Sequence, residues 1–131
     1  MQHEELTKQI IACAYKVHNT LGAGFLEKVY ENALAIELRK NGFDVKQQYP
    51  IKVYYEDEIV GDYFADILVN NIIIIELKAV ENLAPIHETQ LVNYLNGTGL
   101  DIGLLINFGS SVTVKRKYRI YKPKNLAWLQ D

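Results

Sequence analysis

The chain has little of the residues that cross-link, break or anchor a polypeptide. Its 131 residues include one cysteine, three prolines, one tryptophan and one methionine. A single cysteine excludes an internal disulfide framework and fits a reducing cytoplasm, where we expect the protein to act. Cys13 falls in a helical apolar pattern, which predicts a small core residue rather than a nucleophile. No apolar run approaches the length of a membrane span, and no signal-peptide pattern opens the sequence, so we expect no membrane association.

An excess of positive charge is also missing. The net charge is −2, with 49% hydrophobic and 23% charged residues, a composition typical of one soluble globular domain spanning residues 1–131. This charge argues mildly against a high-affinity, nonspecific nucleic-acid binder. The basic residues are clustered, however: residues 115–124 contain six and no acidic residue. The charge distribution is therefore more informative than the total.

The most informative stretch is residues 61–80, which predicts two strands joined by a tight turn at Asn70 and Asn71. The second strand begins with four consecutive isoleucines, as expected for a strand covered on both faces. Glu76 and Lys78 follow on one face of it, and Asp66 lies in the preceding strand. Charged groups at the end of so apolar a strand need partners. A salt-bridged trio at a sheet edge is one explanation.

An aspartate followed ten positions later by Glu-x-Lys resembles the core of the PD-(D/E)xK nuclease superfamily, with Ala65 in place of the usual proline before Asp66. A second resemblance lies upstream. Residues 24–30, GFLEKVY, are similar to the signature of the GxxExxY family, a branch of that superfamily. The resemblance implies that Glu27 joins the strand carboxylates as a metal ligand and that Tyr30 supplies a supporting or substrate-binding hydroxyl. Apart from it, Glu27 is a solvated charge and Tyr30 a core aromatic.

Periodicity predicts the elements in order. Helices are expected at residues 2–20 and 25–41, and strands at 44–55, 59–69 and 72–78. The apolar face of the second helix is assigned to Leu26, Val29, Tyr30, Ala33, Leu34 and Leu38. A third helix at 86–96, ended by Gly97, precedes strands at 102–108 and 112–121, and Leu126, Trp128 and Leu129 are expected to cap the core. The fold class is α/β, with a mixed central sheet flanked by helices in the order α-α-β-β-β-α-β-β, similar to restriction endonucleases.

Strand register poses a problem for a shared site. A strict two-residue turn at Asn70 and Asn71 would pair Asp66 with Ile75, so that Asp66 would face away from Glu76. The sequence therefore predicts a three-residue turn, a bulge or splayed strands at this point.

The third helix and the last strand supply further candidates. Residues 87–95 resemble the glutamine-containing helix that follows Glu-x-Lys in many of these nucleases, which implies a catalytic role for Gln90 and substrate contacts from His87 and Tyr94. His87 is otherwise a helix-surface residue. The basic strand offers contacts to a nucleic-acid backbone, although scattered basic residues are usually solvated; its candidates are Lys115, Arg116, Lys117 and Arg119.

The resemblance implies metal-dependent hydrolysis of nucleic-acid phosphodiester bonds, most of all in DNA. Asp66, Glu76, Glu27 and the backbone carbonyl of Leu77 would hold Mg²⁺ or Mn²⁺, ions that prefer hard oxygen ligands. Lys78 would orient the attacking water or stabilise the transition state. Two alternatives stay open: a nucleic-acid-binding or regulatory module without turnover, and an assembly domain whose acidic cluster is ion-paired. A homodimer would suit double-strand cleavage.

Overall fold

The protein is described by a computed structural model for residues 3–120. Five strands form one mixed sheet with the order β1-β2-β3-β4-β5. In chain order the elements are α1 (Glu4–Leu21), α2 (Glu27–Lys40), β1 (Val45–Tyr55), β2 (Glu58–Val69), β3 (Ile73–Lys78), α3 (Pro85–Thr98), β4 (Ile102–Phe108) and β5 (Val112–Tyr118). Their number, type and order within residues 3–120 are those predicted from the sequence.

The sheet separates two apolar layers. α1 and α2 pack on one face, against Ile73, Ile75 and the even-numbered residues of β4. α3 packs on the other face, where Leu91 and Leu95 contact Ile74 and Leu105. Because both faces are covered, β3 and β4 are buried along almost their entire length, as the isoleucine run predicted. β3 and β4 are parallel, with α3 as their crossover.

β1 and β2 extend well beyond the other strands. β1 has 11 residues and β2 has 12, whereas β3 has only six, and β2 pairs with β3 only from Ile67 to Val69. The rest of the hairpin, residues 49–65, projects past the end of β3 as a two-stranded arm, which we call the β1–β2 arm. β1 is an edge strand, which explains why Pro50 is tolerated in it.

The alternation of side chains in β1 and β2 changes at one point. Val45 and Ile67 face α1 and α2, whereas Ile51 and Ala65 face α3, although all four positions are odd-numbered. The change occurs at Gln48, which has a φ of 53° and interrupts the ladder opposite Asp66. The period-two pattern of residues 44–55 predicts that Val45, Gln47, Tyr49, Ile51, Val53 and Tyr55 share one face. This prediction is wrong because the left-handed Gln48 reverses the faces of β1.

Two other details differ from the sequence-based prediction. α3 continues through Gly97 to Thr98, and Gly99 caps it with a left-handed φ of 76° and a backbone N–H that donates to the Leu95 carbonyl. The buried face of α2 is rotated towards Glu31 and Ala35, while Leu26 is 81% exposed. The predicted core-capping residues Leu126, Trp128 and Leu129, the last residue of the predicted strand 112–121, and the basic residues Lys122 and Lys124 lie outside the described residues.

Candidate active site

The turn between β2 and β3 decides which side chains meet at the end of the sheet. Val69 pairs with Ile73, so the turn contains three residues, with left-handed Asn70 and Asn71 followed by Ile72. This register brings Asp66 opposite Glu76. The predicted irregularity is therefore present, and the strands also splay here, since their ladder ends at Ile67 and Ile75.

Hydrogen bonds to side chains replace the missing backbone hydrogen bonds where β2 and β3 separate. The backbone N–H of Asp66 donates a hydrogen bond of 3.0 Å to Oε1 of Glu76. In return, the backbone N–H of Leu77 donates one of 2.8 Å to Oδ2 of Asp66. Each carboxylate thus uses one oxygen to connect the two strands. Glu76 is 7% exposed, so the pair is held in a largely dehydrated position.

Burial and nearby negative charges raise the pKa values of both carboxyl groups. Burial is the main cause for Glu76, followed by the charge of Asp66, and together they raise its pKa to about 8. The pKa of Asp66 is raised as well, first by burial and then by the charge of Glu31, although the Leu77 N–H opposes the shift. Because opposite charge stabilises ionised carboxylates, a cation bound between these two groups would relieve the unfavourable arrangement.

Residues 47 and 48 of β1 connect this pair to a carboxylate that the sequence reading missed. Glu31 on α2 is only 3% exposed, and it accepts hydrogen bonds of 2.8 Å from the side-chain amides of both Gln47 and Gln48. Lys28 forms an ion pair of 3.0 Å with it. Gln48 also donates to Oδ1 of Asp66 at 3.4 Å. The amide of Gln48 therefore bridges the buried carboxylate of Glu31 and the half-buried carboxylate of Asp66, and it positions Asp66.

A sequence signal for Glu31 did exist. It lies three and four residues before Leu34 and Ala35, both of which are fully buried, so it shares the core-facing stripe of α2. A charged residue in that stripe must find buried partners, and consecutive glutamines in the next strand are suitable donors. The apolar pattern alone predicts a stripe that includes Leu26 and Val29, both of which are exposed, and it leaves Glu31 out.

Glu27 and Tyr30, the two candidates from the GFLEKVY signature, have different environments in the structure. Glu27 is exposed in the first turn of α2, and its charge contributes to the raised pKa values of both Asp66 and Glu76. Tyr30 is completely buried and stacks on Phe108 with 4.6 Å between ring centroids. Its hydroxyl donates to the Gly22 carbonyl and accepts from the Phe25 N–H, so it fastens the loop before α2. The expected substrate contact from Tyr30 is replaced by this structural role.

Lys78 follows the carboxylates on the same face of β3. It is half-buried, and within the described part of the chain no carboxylate lies at ion-pair distance from its Nζ. Its charge lowers the pKa of Glu76, which places it close to that carboxyl group. The end of β3 is held by Asn107 of β4, whose amide donates to the Val80 carbonyl and accepts from the Val80 N–H at 2.9 and 3.0 Å.

α3 brings its candidates to the same end of the sheet. Nε2 of Gln90 donates to the Tyr94 hydroxyl at 2.9 Å, and the charge of Glu76 contributes, after burial, to a raised Tyr94 pKa. Nδ1 of His87 accepts a hydrogen bond from the Ala84 N–H at the start of the helix. Gln90, Tyr94 and His87 also line one groove, described further below.

The basic strand β5 has mostly internal partners. Arg116 donates to the Thr7 hydroxyl of α1 at 2.8 Å, Lys117 forms an ion pair of 3.0 Å with Glu88, and Arg119 one of 2.9 Å with Asp101. Lys115 differs because it is exposed. It pairs with Leu105 of β4, and Leu105 in turn pairs with Glu76 of β3. Of the predicted basic contacts, Lys115 alone among these four residues has no internal partner within the described chain.

The donors fit a hard divalent cation. Asp66, Glu76 and the Leu77 carbonyl offer oxygen ligands, and Mg²⁺ commonly binds through one or two carboxylates, completing its shell with water and substrate phosphates. Among residues 3–120, no three His, Cys, Asp or Glu side chains are gathered closely enough to hold a metal ion. The structure thus brings Asp66 and Glu76 together but leaves Glu27 outside a ready three-carboxylate site.

Comparison with known proteins identifies the family. A family model described as the PD-(D/E)XK nuclease superfamily matches residues 4–120, and the chain belongs to that superfamily. Among curated proteins no match is found. No helix within the described residues has the length and apolar character needed to cross a bilayer.

Solved structures with a similar fold share little sequence. The protein SSO0001 is 16% identical, with a TM-score of 0.58 over 72% of this chain, which spans only half, 50%, of that protein. An alkaline exonuclease from Laribacter hongkongensis is 14% identical, with a TM-score of 0.53 over 92% of this chain and 72% of its own. Together with the five-stranded sheet and its flanking helices, these matches establish the restriction-endonuclease-like fold.

Proposed function

We propose that the protein is a metal-dependent nuclease that hydrolyses nucleic-acid phosphodiester bonds, with DNA as its substrate. One observation supports this most strongly. Asp66 and Glu76 lie side by side where β2 and β3 separate, each with one oxygen fixed by a backbone N–H, and Lys78 follows on the same face. This arrangement costs stability through burial and repulsion, as functional carboxylates commonly do. The fold resemblance to an alkaline exonuclease is consistent with it.

The residues would divide the work as follows. Asp66, Glu76 and the Leu77 carbonyl would hold Mg²⁺ or Mn²⁺, with Glu27 as a further candidate ligand. Such an ion supplies Lewis-acid polarisation of the phosphate and an acidified water for attack. The ammonium group of Lys78 would stabilise charge that develops on the phosphate, or orient the water. Gln90, fixed on the Tyr94 hydroxyl, would position substrate or water.

Further assignments belong to the same proposal. We place the chain in the GxxExxY branch, a choice supported by the loop before α2, where Gly24 has a φ of 104° and Tyr30 fastens Gly22 and Phe25. We propose one domain for the whole chain and a cytoplasmic location, since its lone cysteine is unpaired and buried. Homodimerisation would allow both strands of a duplex to be cut. Lys115 is the proposed backbone contact on β5.

Cleavage of labelled DNA and RNA, single- and double-stranded, tests the proposal directly. Each substrate is incubated with Mg²⁺, Mn²⁺ or EDTA, using wild type, Asp66→Asn and Glu76→Gln. The amide variants keep the acceptor oxygens that connect the strands but lose the charge. We expect metal-dependent cutting, and a loss of at least about 100-fold in each variant, because removal of one preorganised electrostatic group commonly costs that much.

A thermal-shift series with the same proteins separates metal binding from turnover. We expect Mg²⁺ or Mn²⁺ to raise the melting temperature of wild type, because an ion that binds only the folded state stabilises it. The shift should vanish in Glu76→Gln and persist in Glu58→Gln, a matched change at an exposed position. Cleavage that persists in EDTA and in both amide variants would refute the proposal. Nucleic-acid binding without any cleavage would favour the silent binding module.

A further inference from the structure

A groove of about 860 Å³ lies between the β1–β2 arm and α3. The arm contributes Tyr54, Gly61 and Tyr63 to its walls, and α3 contributes His87, Gln90 and Tyr94. The volume is within the range of small-molecule and cofactor sites. The metal-site residues Asp66 and Glu76 do not line it, so the groove requires an explanation of its own.

Aromatic rings are presented to solvent in this groove. The rings of Tyr63 and Tyr94 lie 5.7 Å apart, tilted by 42°. Tyr63 is 44% exposed and Tyr54 is 58% exposed, whereas Tyr94 is buried beneath them. Exposed aromatic faces set along a groove are the means by which proteins stack unpaired nucleobases, since every base has a π-face.

Two glycines line the groove. A Cβ at Gly61 would lie 2.7 Å from the Tyr63 ring, so glycine lets that ring lie across the strand. Gly97 lies inside α3, where an added Cβ would meet Cγ2 of Ile51 at 3.6 Å, an ordinary contact. Glycine in the interior of a strand or helix costs about 0.5–1 kcal/mol relative to alanine. Both costs fall at the walls of one groove.

The polar groups of the groove suit the edges of nucleobases. Among the described residues, its lining contains no carboxylate and one lysine, Lys52, which forms an ion pair of 3.6 Å with Asp62. Gln90, Asn93 and Asn96 provide amides, which can both donate to and accept from the edges of bases. A ligand with planar, hydrogen-bonding rings is therefore complementary to these walls.

The groove adjoins the candidate active site. Gln90 and Tyr94 line it and are hydrogen-bonded to each other, and α3, which carries both, packs on the face of the sheet where Leu105 pairs with Glu76. We propose that the groove binds unpaired nucleotides of the substrate, stacking their bases on Tyr63 and Tyr54 and leading the adjoining phosphodiester to Asp66 and Glu76. This inference rests on the proposed function and adds the substrate class: single strands or frayed ends.

Binding of fluorescent single-stranded oligonucleotides tests the groove without turnover. The Glu76→Gln protein serves as the parent, and it is titrated with oligothymidine, oligouridine and a blunt DNA duplex in Mg²⁺. We expect single strands to bind more tightly than the duplex. Tyr63→Ala should weaken single-strand binding about 5- to 100-fold, the range for loss of one stacked base, whereas Tyr63→Phe should retain it. The two single strands distinguish DNA from RNA.

Control variants keep the test decisive. Tyr15→Ala removes an equally exposed tyrosine, 48% exposed, from α1 on the opposite side of the sheet, and it should bind as the parent does. Tyr54→Ala provides a second groove variant if Tyr63→Ala does not fold. Equal binding of single strands by Tyr63→Ala and its parent would overturn the inference.

Different experimental outcomes would contradict the proposal for the groove and the proposal of nuclease activity. If the wild type cleaves single and double strands, and Tyr63→Ala and Tyr54→Ala cleave them equally well, the proposed role of the groove is wrong. The nuclease proposal would then still hold. If single strands bind in a manner that depends on Tyr63, but the wild type cleaves nothing with any metal, the proposed role of the groove is supported and the nuclease proposal is wrong.

Discussion

The raised pKa of Glu76 makes stability depend on pH in a direction opposite to that of most carboxylates. The folded protein holds the Glu76 proton up to about pH 8, whereas the unfolded chain releases it near 4.5. Between these values the folded state binds more protons than the unfolded state, so the free energy of unfolding falls as pH rises. The difference corresponds to roughly 5 kcal/mol lost across that window, at about 1.4 kcal/mol for each pH unit.

Replacing Glu76 with glutamine should remove most of this slope. An amide does not titrate, and its oxygen can still accept the Asp66 N–H. We therefore expect Glu76→Gln to be more stable than wild type above pH 8 in EDTA, by a few kcal/mol at ~1.4 kcal/mol for each unit of pKa shift. The raised pKa of Asp66 leaves a smaller slope of the same sign.

Urea denaturation in EDTA across this pH range measures the effect. Glu58→Gln, at an exposed position of β2, is the matched control and should follow the wild-type curve. Parallel curves for wild type and Glu76→Gln would refute the reasoning, because Glu76 would then ionise alike in both states. In excess Mg²⁺ the wild-type slope should flatten, since the bound ion favours the ionised carboxylates.

Three further outcomes can be checked. Lys78→Ala should lower kcat at least about 100-fold while the Mg²⁺-induced rise in melting temperature persists, because Lys78 acts on charge in the transition state; an unchanged kcat would remove it from the mechanism. Gln48→Ala should cost about 1–3 kcal/mol in urea denaturation, since the buried carboxylate of Glu31 loses a donor; Gln48→Asn offers a shorter amide for comparison. Asn107→Leu should cost about 2–6 kcal/mol, because it leaves the N–H and carbonyl of Val80 without their partner; a neutral result would mean that water replaces both bonds.

The periodicity of the sequence was sufficient to predict the helices, the strands and the two neighbouring strands that carry Asp66 and Glu76. The isoleucine run indicated a strand buried on both faces, and the charged residues after it indicated a site at its end. The conflict between a two-residue turn and a shared site led to the correct expectation of an irregular turn. This inference worked because register is a discrete quantity, and one extra residue reverses every side chain.

Features that depend on a single dihedral angle or on helix rotation were not predictable in this way. The left-handed φ of Gln48 reverses the faces of β1, and no sequence rule assigns that angle to a glutamine. Glu31 is buried because the core-facing stripe of α2 is rotated by about one position from the predicted stripe. The apolar residues alone did not determine that rotation. Gly97 looked like a helix end, but Gly99 provides the left-handed cap. The partners of Arg116 and Lys117 are remote in sequence.

The β1–β2 arm has a consequence for dynamics. Beyond Ala65 its strands pair only with each other, and isolated two-stranded hairpins are marginally stable in water. The arm is therefore expected to open locally at a lower free energy than β3 and β4, and its amides to exchange with solvent sooner. Since the arm forms one wall of the groove, the width of the groove can change without loss of the sheet. A ligand held there would be recognised by slower hydrogen exchange confined to the arm and the facing turns of α3.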